Sequence, residues 1–381
     1  MHPTQRNRSD RQTIALLHTC LRGGGVERSM LRLAQGLTNQ GWSVDLVVCS
    51  ASGPLQREIP EDVHLIDLGA HRIAAAAPGL IRYLRRTPPT AMISAISTTN
   101  CMAVWARRLL RQTFPLVVTE HTTPSMAARG AKNLRARLVP TLMRHSYPKA
   151  DGIVAVSDGV ADDLARTAKL PRGSIEVIHN PVVTETLKRL ARAPLDHPWF
   201  RPGHRPVIVA IGRLTRAKDF PTLLHAFARV RTTHSARLII LGEGEERGSL
   251  ERLANELGVT EYTRLPGFTH NPYQYLARAD LFVLSSRWEG LPTVLIEAMA
   301  CGTPVVATDC PSGPAEILEN GRWGQLVPVG QPSRLAAAMA RVIDGRCKTT
   351  LATQRADMYS AECATERYVD KLARVIARHQ G

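Results

Sequence analysis

Two glutamates eight positions apart, Glu289 and Glu297, lie in the stretch 287–309, which runs Arg-Trp-Glu-Gly-Leu-Pro-Thr-Val-Leu-Ile-Glu and on through Gly302-Thr-Pro-Val-Val. A carboxylate is an acceptor-only group that takes two hydrogen bonds at once, which suits a vicinal diol on a ribose or a hexose. Between the two acids come Gly290, Leu291, Pro292 and Thr293. A helix is expected to start here, with Pro292 near its first position, where a missing N–H costs least. Such a helix end offers free N–H groups and a partial positive charge, so a diphosphate can rest on it. Two carboxylates flanking that end can hold a sugar on one side and a ribose on the other. The plainer alternative is a pair of solvated glutamates beside an ordinary crossover.

Cations suited to the same ligand occur earlier. An apolar run at 207–211 reads as a strand and ends in Gly212-Arg213-Leu214, with Lys218 before the next helix. A forked guanidinium and a point-charge ammonium on one strand-to-helix loop can clamp a diphosphate and stabilise it as it leaves. Near the start, a strand at 13–18 runs into Gly23, Gly24 and Gly25 and then a helical pattern that stops at Gly41. Glycines there allow an anion close to the backbone, or simply make a tight turn. His121 follows a strand at 116–120 and so lies at a carboxyl edge, where open α/β sheets bind ligands. A further run, Gly242-Glu-Gly-Glu-Glu-Arg-Gly248, misses the dinucleotide fingerprint by having three residues, not two, before its last glycine; an NAD(P)-dependent oxidoreductase would rest on it. Its three acids would repel a pyrophosphate.

The elements that position these residues alternate strand and helix throughout, which predicts parallel sheets in two α/β series. A chain of 381 residues is too long for one ordinary core.

The stretch from Glu289 to the Gly302-Thr-Pro-Val-Val segment, with the Gly-Arg-Leu…Lys clamp before it, resembles the signature of the retaining glycosyltransferases of family 4, group 1. The resemblance is strong over 207–318 and weaker over 13–181. It implies the GT-B fold: two Rossmann-like domains with parallel sheets facing across a cleft and a final helix crossing back. The expected boundaries are an acceptor-binding domain at 1–186, a linker at 187–205, a nucleotide-sugar domain at 206–360 and the crossing helix at 361–381. By the same resemblance Glu289 contacts the transferred sugar and Glu297 the nucleotide ribose. Gly24 and Gly25 belong to a loop near donor phosphate and acceptor, His121 approaches the transferred sugar, and Gly267 with Phe268 meets the nucleobase. Arg213, Lys218 and the helix start at Leu291, Pro292 and Thr293 then stabilise the departing diphosphate. No metal and no cofactor is expected, because no Asp-x-Asp sequence occurs and the cations replace it. The donor expected is a UDP-sugar carrying N-acetylhexosamine or hexose, with GDP-mannose as the alternative. A non-transferring GT-B relative, a UDP-sugar epimerase, would share fold and donor.

Composition sets the surroundings. The 49 Lys and Arg against 33 Asp and Glu give a net charge of +16, and the excess falls mostly before residue 196. Such a split points to an anionic partner for the first half. The segment 126–149 carries Arg129, Lys132, Arg135, Arg137 and Arg144 between Leu134, Leu138, Val139, Leu142 and Met143. At helical spacing the apolar residues are expected to share one stripe, with Pro140 kinking or splitting the helix. This is a solvated rim or a face that docks on an anionic membrane near a glycan or lipid-linked acceptor. Aromatic residues are 5% of the chain and do not interleave with the cations, which argues against nucleic acid. The seven cysteines form no C-x-x-C pair, no apolar run approaches membrane-spanning length, and 1–11 lacks the apolar core of a secretory signal. A cytoplasmic location is expected, peripheral at the membrane's inner face if the basic segment docks.

Overall fold

The computed structural model describes residues 12–130, 137–201, 203, 205–345 and 352–380. The chain forms two compact units, Met1–Pro181 with Ala361–Gly381, and Val182–Ser360.

The first unit is built on seven parallel strands: β1 (Thr13–His18), β2 (Ser43–Val48), β3 (Val63–Asp67), β4 (Ala91–Ala95), β5 (Leu116–Glu120), β6 (Gly152–Ala155) and β7 (Ile175–Val177). Their order is β3-β2-β1-β4-β5-β6-β7. β4 and β5 are buried along their whole length, as short apolar runs must be when helices cover both faces of a parallel sheet. The order reverses between β1 and β4, so the connections leaving those strands diverge at the carboxyl edge. Ile96, at that edge, has φ 77°, a costly conformation for a β-branched residue.

The helix Gly25–Asn39 buries Met30, Leu33, Ala34 and Leu37, a 3.6-residue period. Against it packs the helix Ala361–Gln380, whose Tyr368, Leu372 and Val375 complete the same core cluster. The two helices approach closely at Gly36, where a Cβ would lie 2.1 Å from Thr365 Oγ1. Farther along, Lys371 and Arg374 pair with Glu176 of β7 at 3.1 and 2.9 Å. The terminal helix therefore ties the middle of the unit to its edge strand.

The second unit has six parallel strands: β8 (Val207–Ile211), β9 (Arg237–Leu241), β10 (Thr263–Gly267), β11 (Leu281–Leu284), β12 (Val305–Thr308) and β13 (Gln325–Val327), ordered β10-β9-β8-β11-β12-β13. Its reversal lies between β8 and β11. Helices Phe220–Arg231 and Pro332–Ile343 pack together and bury Phe220, Leu223, Phe227, Leu335 and Met339 in one core.

The segment 187–205, read from sequence as an irregular linker, belongs to this second unit. Helix Glu185–Ala191 starts it, capped by the Thr184 hydroxyl, which accepts from the Leu187 N–H. Trp199 is buried beneath the guanidinium groups of Arg237 and Arg264, 5.0 and 5.1 Å from its ring. A capping threonine and a large aromatic supply local structure that counting prolines does not reveal. The chain enters and leaves this unit side by side, with Val182 and Val183 N–H both donating to Tyr359 O.

Candidate active site

In the second unit the end of β8 and the end of β11 flank the sheet's reversal, and both carry the expected residues. β11 is followed by Ser285 and Ser286, both buried. The Ser285 hydroxyl donates to Lys218 O at 2.8 Å, and Arg287 N–H donates to Ala217 O at 2.8 Å. The loop after β8 is thereby fastened to the loop after β11. The result brings Lys218 onto Glu289, with Nζ 2.5 Å from Oε1. Ser286 Oγ donates to the same oxygen at 2.6 Å. Thr308 Oγ1 donates to Ser286 O at 2.6 Å and so holds that serine. The only signal of Ser286 in the sequence is that it lies three residues before Glu289 on a strand end.

Gly290, Leu291 and Pro292 are buried, and the helix Thr293–Ala300 begins after Pro292, which is its N-cap residue rather than its first helical one. This loop is pinned from the other side. Ser312 Oγ donates to Gly290 O at 2.7 Å, and Gly313 has φ 96° with its missing Cβ 2.4 Å from Pro292 Cδ. Only glycine fits there. After Thr293 the helix is apolar all round except for Glu297, which is 6% exposed. A lone buried carboxylate needs hydrogen bonds, and Tyr273 donates its hydroxyl to Glu297 Oε1 at 3.4 Å. Tyr273 is a second residue that the sequence did not disclose. Arg213 is exposed and makes no ion pair with any described residue, leaving its fork open for an anion.

The glycines at 242–248 serve the backbone. A Cβ on Gly242 would lie 2.0 Å from Gly212 O, and one on Gly244 would lie 2.3 Å from Leu214 O. They let this loop press against the loop after β8, while Glu243 and Arg247 pair with each other at 2.6 Å. A packing reason therefore accounts for the first two of its three glycines, while a Cβ on Gly248 would meet only Arg252 at an ordinary 3.6 Å. Gly267 has φ 93°, and its carbonyl accepts from Gly242 N–H at 2.8 Å, leaving Phe268 40% exposed.

In the first unit the helix Gly25–Asn39 starts with Gly24 as its N-cap. Glu27 folds back over it, with Oε2 2.3 Å from where a Gly24 Cβ would stand. A carboxylate in that place already faces the positive helix end. His121 is 6% exposed, with Nε2 3.0 Å from Thr119 Oγ1. Burial lowers its pKa to about 4, although the Asn180 side chain, accepting from the ring, works the other way. The ring is therefore neutral at physiological pH. Beneath it Glu120 is fully enclosed, accepting from Ser97 Oγ and Tyr147 OH, each at 2.8 Å. Burial pushes this carboxyl up to about 7 despite those bonds.

Of the basic segment, Lys132 and Arg135 fall outside the described residues, as does Leu134. Arg129 ends the helix Pro124–Arg129, while Arg137 and Arg144 are exposed. The expected shared apolar stripe is not formed by the described residues. Met143 is buried, whereas Leu138 and Leu142 are 51% and 48% exposed. Pro140 lies in the first turn of helix Val139–Ser146, just after a break in the helical pattern at Leu138, so it splits the segment rather than kinking it and starts a helix where no N–H is required.

Two parallel α/β units, each reversing at the edge that carries the candidate residues, are what the GT-B class of glycosyltransferases presents. Residues 194–360 match the family model of glycosyl transferases group 1, and residues 23–186 match that of glycosyltransferase family 4. The chain belongs to this family. One relative is the N-acetylgalactosamine-N,N'-diacetylbacillosaminyl-diphospho-undecaprenol 4-alpha-N-acetylgalactosaminyltransferase of Campylobacter jejuni. It is 32% identical over 64% of this chain and 64% of its own length, so the match spans somewhat less than two thirds of that protein. The lipopolysaccharide core biosynthesis glycosyltransferase LpsE of Rhizobium meliloti is 33% identical over 61% of this chain and 67% of its own. Among solved structures, Anabaena HepE in complex with UDP-glucose superposes with a TM-score of 0.77, covering 95% of this chain and 100% of that one at 19% identity. That likeness bears on the fold alone.

Proposed function

We propose that this chain transfers a hexosyl unit, an N-acetylhexosamine or hexose, from a UDP-sugar to a glycan or lipid-linked oligosaccharide acceptor in surface polysaccharide assembly, with retention of configuration. The observation that carries this reading is the convergence of Lys218, Glu289 and Ser286 where the second sheet reverses, on the element that also bears the buried Glu297. Glu289, held by Ser286, receives sugar hydroxyls. Glu297, held by Tyr273, receives the ribose diol. The open Arg213 and the ammonium of Lys218 neutralise the diphosphate as the glycosidic C–O bond breaks, and no metal is required in this scheme. The names of the relatives agree with the acceptor class, since one names a diphospho-undecaprenol substrate and another lipopolysaccharide core biosynthesis.

A ligand that binds only the folded chain raises its melting midpoint by mass action. The test is thermal stabilisation across UDP-, GDP- and ADP-sugars and NAD(P), repeated with Glu297→Ala and Arg213→Ala. One nucleotide sugar should stabilise the wild type and neither variant. A response to NAD(P) alone would sink the proposal. A stabilising UDP-sugar that is isomerised without any acceptor would assign the chain to the epimerases instead.

A second part of the reading concerns an anionic membrane surface beside the acceptor. Helix Ser97–Leu109 exposes Trp105 by 46% and Leu109 by 70%, and it packs on helix Val139–Ser146, which exposes Leu142 beside Leu138. Trp105 Nε1 donates to Ser146 Oγ at 3.0 Å, and Lys149 Nζ stands 4.3 Å over the Trp105 ring. From residue 97 to residue 150 the sole acid is Glu120, and it is buried. Exposed apolar side chains on a segment that carries cations and no exposed acid of its own suit anionic headgroups.

A further inference from the structure

His18 closes β1 and is 1% exposed, and neither of its ring nitrogens has a hydrogen-bond partner among the described residues. His121 faces Thr119 Oγ1 with Nε2 and has the Asn180 side chain acting on its ring, while Nδ1 has no partner within hydrogen-bond geometry among the described residues. Buried polar atoms are nearly always satisfied, so three unmet nitrogens in one place call for a partner from outside the chain. The sheet register shows that it is one place. Leu17 pairs with Ser94 and Ala95 pairs with Thr119, so His18, Ala95 and Thr119 follow one another across β1, β4 and β5. Residues opposite each other in a parallel pair share a face, and His121, two residues after Thr119, returns to it. Ala95, on the intervening strand, is too small to separate two imidazoles. The rings are close enough that a charge on His121 helps to lower the pKa of His18, after burial, to about 3.

The chemistry of the missing partner follows from the donor and acceptor count. A neutral imidazole has one N–H and one lone pair, so two neutral rings present donors and acceptors together. An anion would need donors only, and a cation acceptors only. A hydroxyl group, which donates and accepts at once, matches both.

We propose that His18 is a positioning residue which, with His121, seats a sugar hydroxyl at the carboxyl edge of β1 and β5. The proposal rests on the glycosyl-transfer reading, and the sugar belongs either to the donor or to the acceptor.

The test uses the full chain with His18→Phe and His18→Asn. Phenylalanine fills the space without polar atoms, so His18→Phe should melt no lower than wild type, because two unmet buried nitrogens are removed. It should nevertheless raise KM for one of the two sugar substrates about tenfold or more while leaving the other KM unchanged. The affected substrate identifies whose hydroxyl is seated. His18→Asn, which keeps a donor and an acceptor, should recover most of the loss. A second readout does not need turnover: 15N-histidine spectra, with the His18 signal assigned by its absence in His18→Phe, followed on addition of UDP-glucose and of methyl N-acetyl-α-glucosaminide. One of these should move the His18 and His121 signals together. If transfer fails while a sugar still moves both signals, the seat stands and the transferase reading falls. If His18→Phe turns over normally, or no sugar moves the signals, the nitrogens are met by trapped water and the proposal is overturned.

Discussion

Glu120 shows how a single residue couples this fold to proton concentration. Its ordinary pKa of 4.5 rises to about 7 in the folded chain, so between those values the folded state holds a proton that the unfolded state has lost. Stability from this group is present at low pH and is lost as pH rises through about 7. His18 and His121 act in the opposite sense. Their pKa values fall from 6.5 to about 3 and about 4, so the unfolded chain gains protons first and stability is lost as pH falls below 6.5. The melting midpoint of the first unit should therefore peak close to where the two windows meet. In Glu120→Gln the decline on the alkaline side should disappear while the acid side persists, as a midpoint-against-pH series of both proteins would show. At the other site, Lys218→Ala removes a charge aimed at the departing diphosphate and should lower kcat by about a hundredfold, equivalent to roughly 3 kcal/mol; an unchanged kcat would remove Lys218 from the chemistry. Glu289, Glu297, Arg213 and Lys218 stand out in the sequence through the family signature around them, and His121 through that context alone, since an isolated pair of glutamates or one His after a strand carries little signal by itself. His18, Ser286 and Tyr273 do not, since each matters through a neighbour that is distant in sequence or joined only by folding.

At the scale of elements, the strands were readable as short apolar runs, and their alternation with helices fixed the parallel class. Helices were read less well where tertiary contacts decide them. Helix Ile73–Arg86 continues through Pro78, and Glu185–Ala191 forms inside a segment that composition alone marks as irregular. The contact between helices Gly25–Asn39 and Ala361–Gln380 yields a sharp prediction. Thr365 is β-branched, and its hydroxyl is already engaged with Ala361 O at 2.7 Å, so it has little room to yield. Gly36→Ala should lower the stability of the first unit by about 1–3 kcal/mol, as overpacking does, detectable as a shift in chemical denaturation. Gly313→Ala makes a parallel case in the second unit, where a positive φ and the contact with Pro292 coincide. It should cost about 1–3 kcal/mol and weaken nucleotide-sugar binding with it, because the displaced loop carries Gly290 next to Glu289. A variant that keeps wild-type stability and binding would show that the loop is not pinned there.

For the whole molecule, charge is the property most plainly written in the sequence, and the structure adds where it is exposed. The chain should pellet with anionic vesicles and not with neutral ones. Added salt should weaken the association, since the cations act through a screened field. Trp105→Ala combined with Leu109→Ser should weaken it at constant charge, and retention of full binding by that variant would rule out this face. No described helix is long and apolar enough to cross a membrane. The return of helix Ala361–Gln380 to the first unit also has a bearing on biosynthesis. Domains generally fold in the order in which they emerge during synthesis, but this first unit lacks Tyr368, Leu372 and Val375 from its core until the last helix has been translated. Throughout that interval its nascent sheet carries an open apolar seam, while the later 182–360 segment already has every residue it needs. The half that leaves the ribosome first is thus the half completed last, and a stalled or shortened chain would leave it exposed to chaperones and proteases.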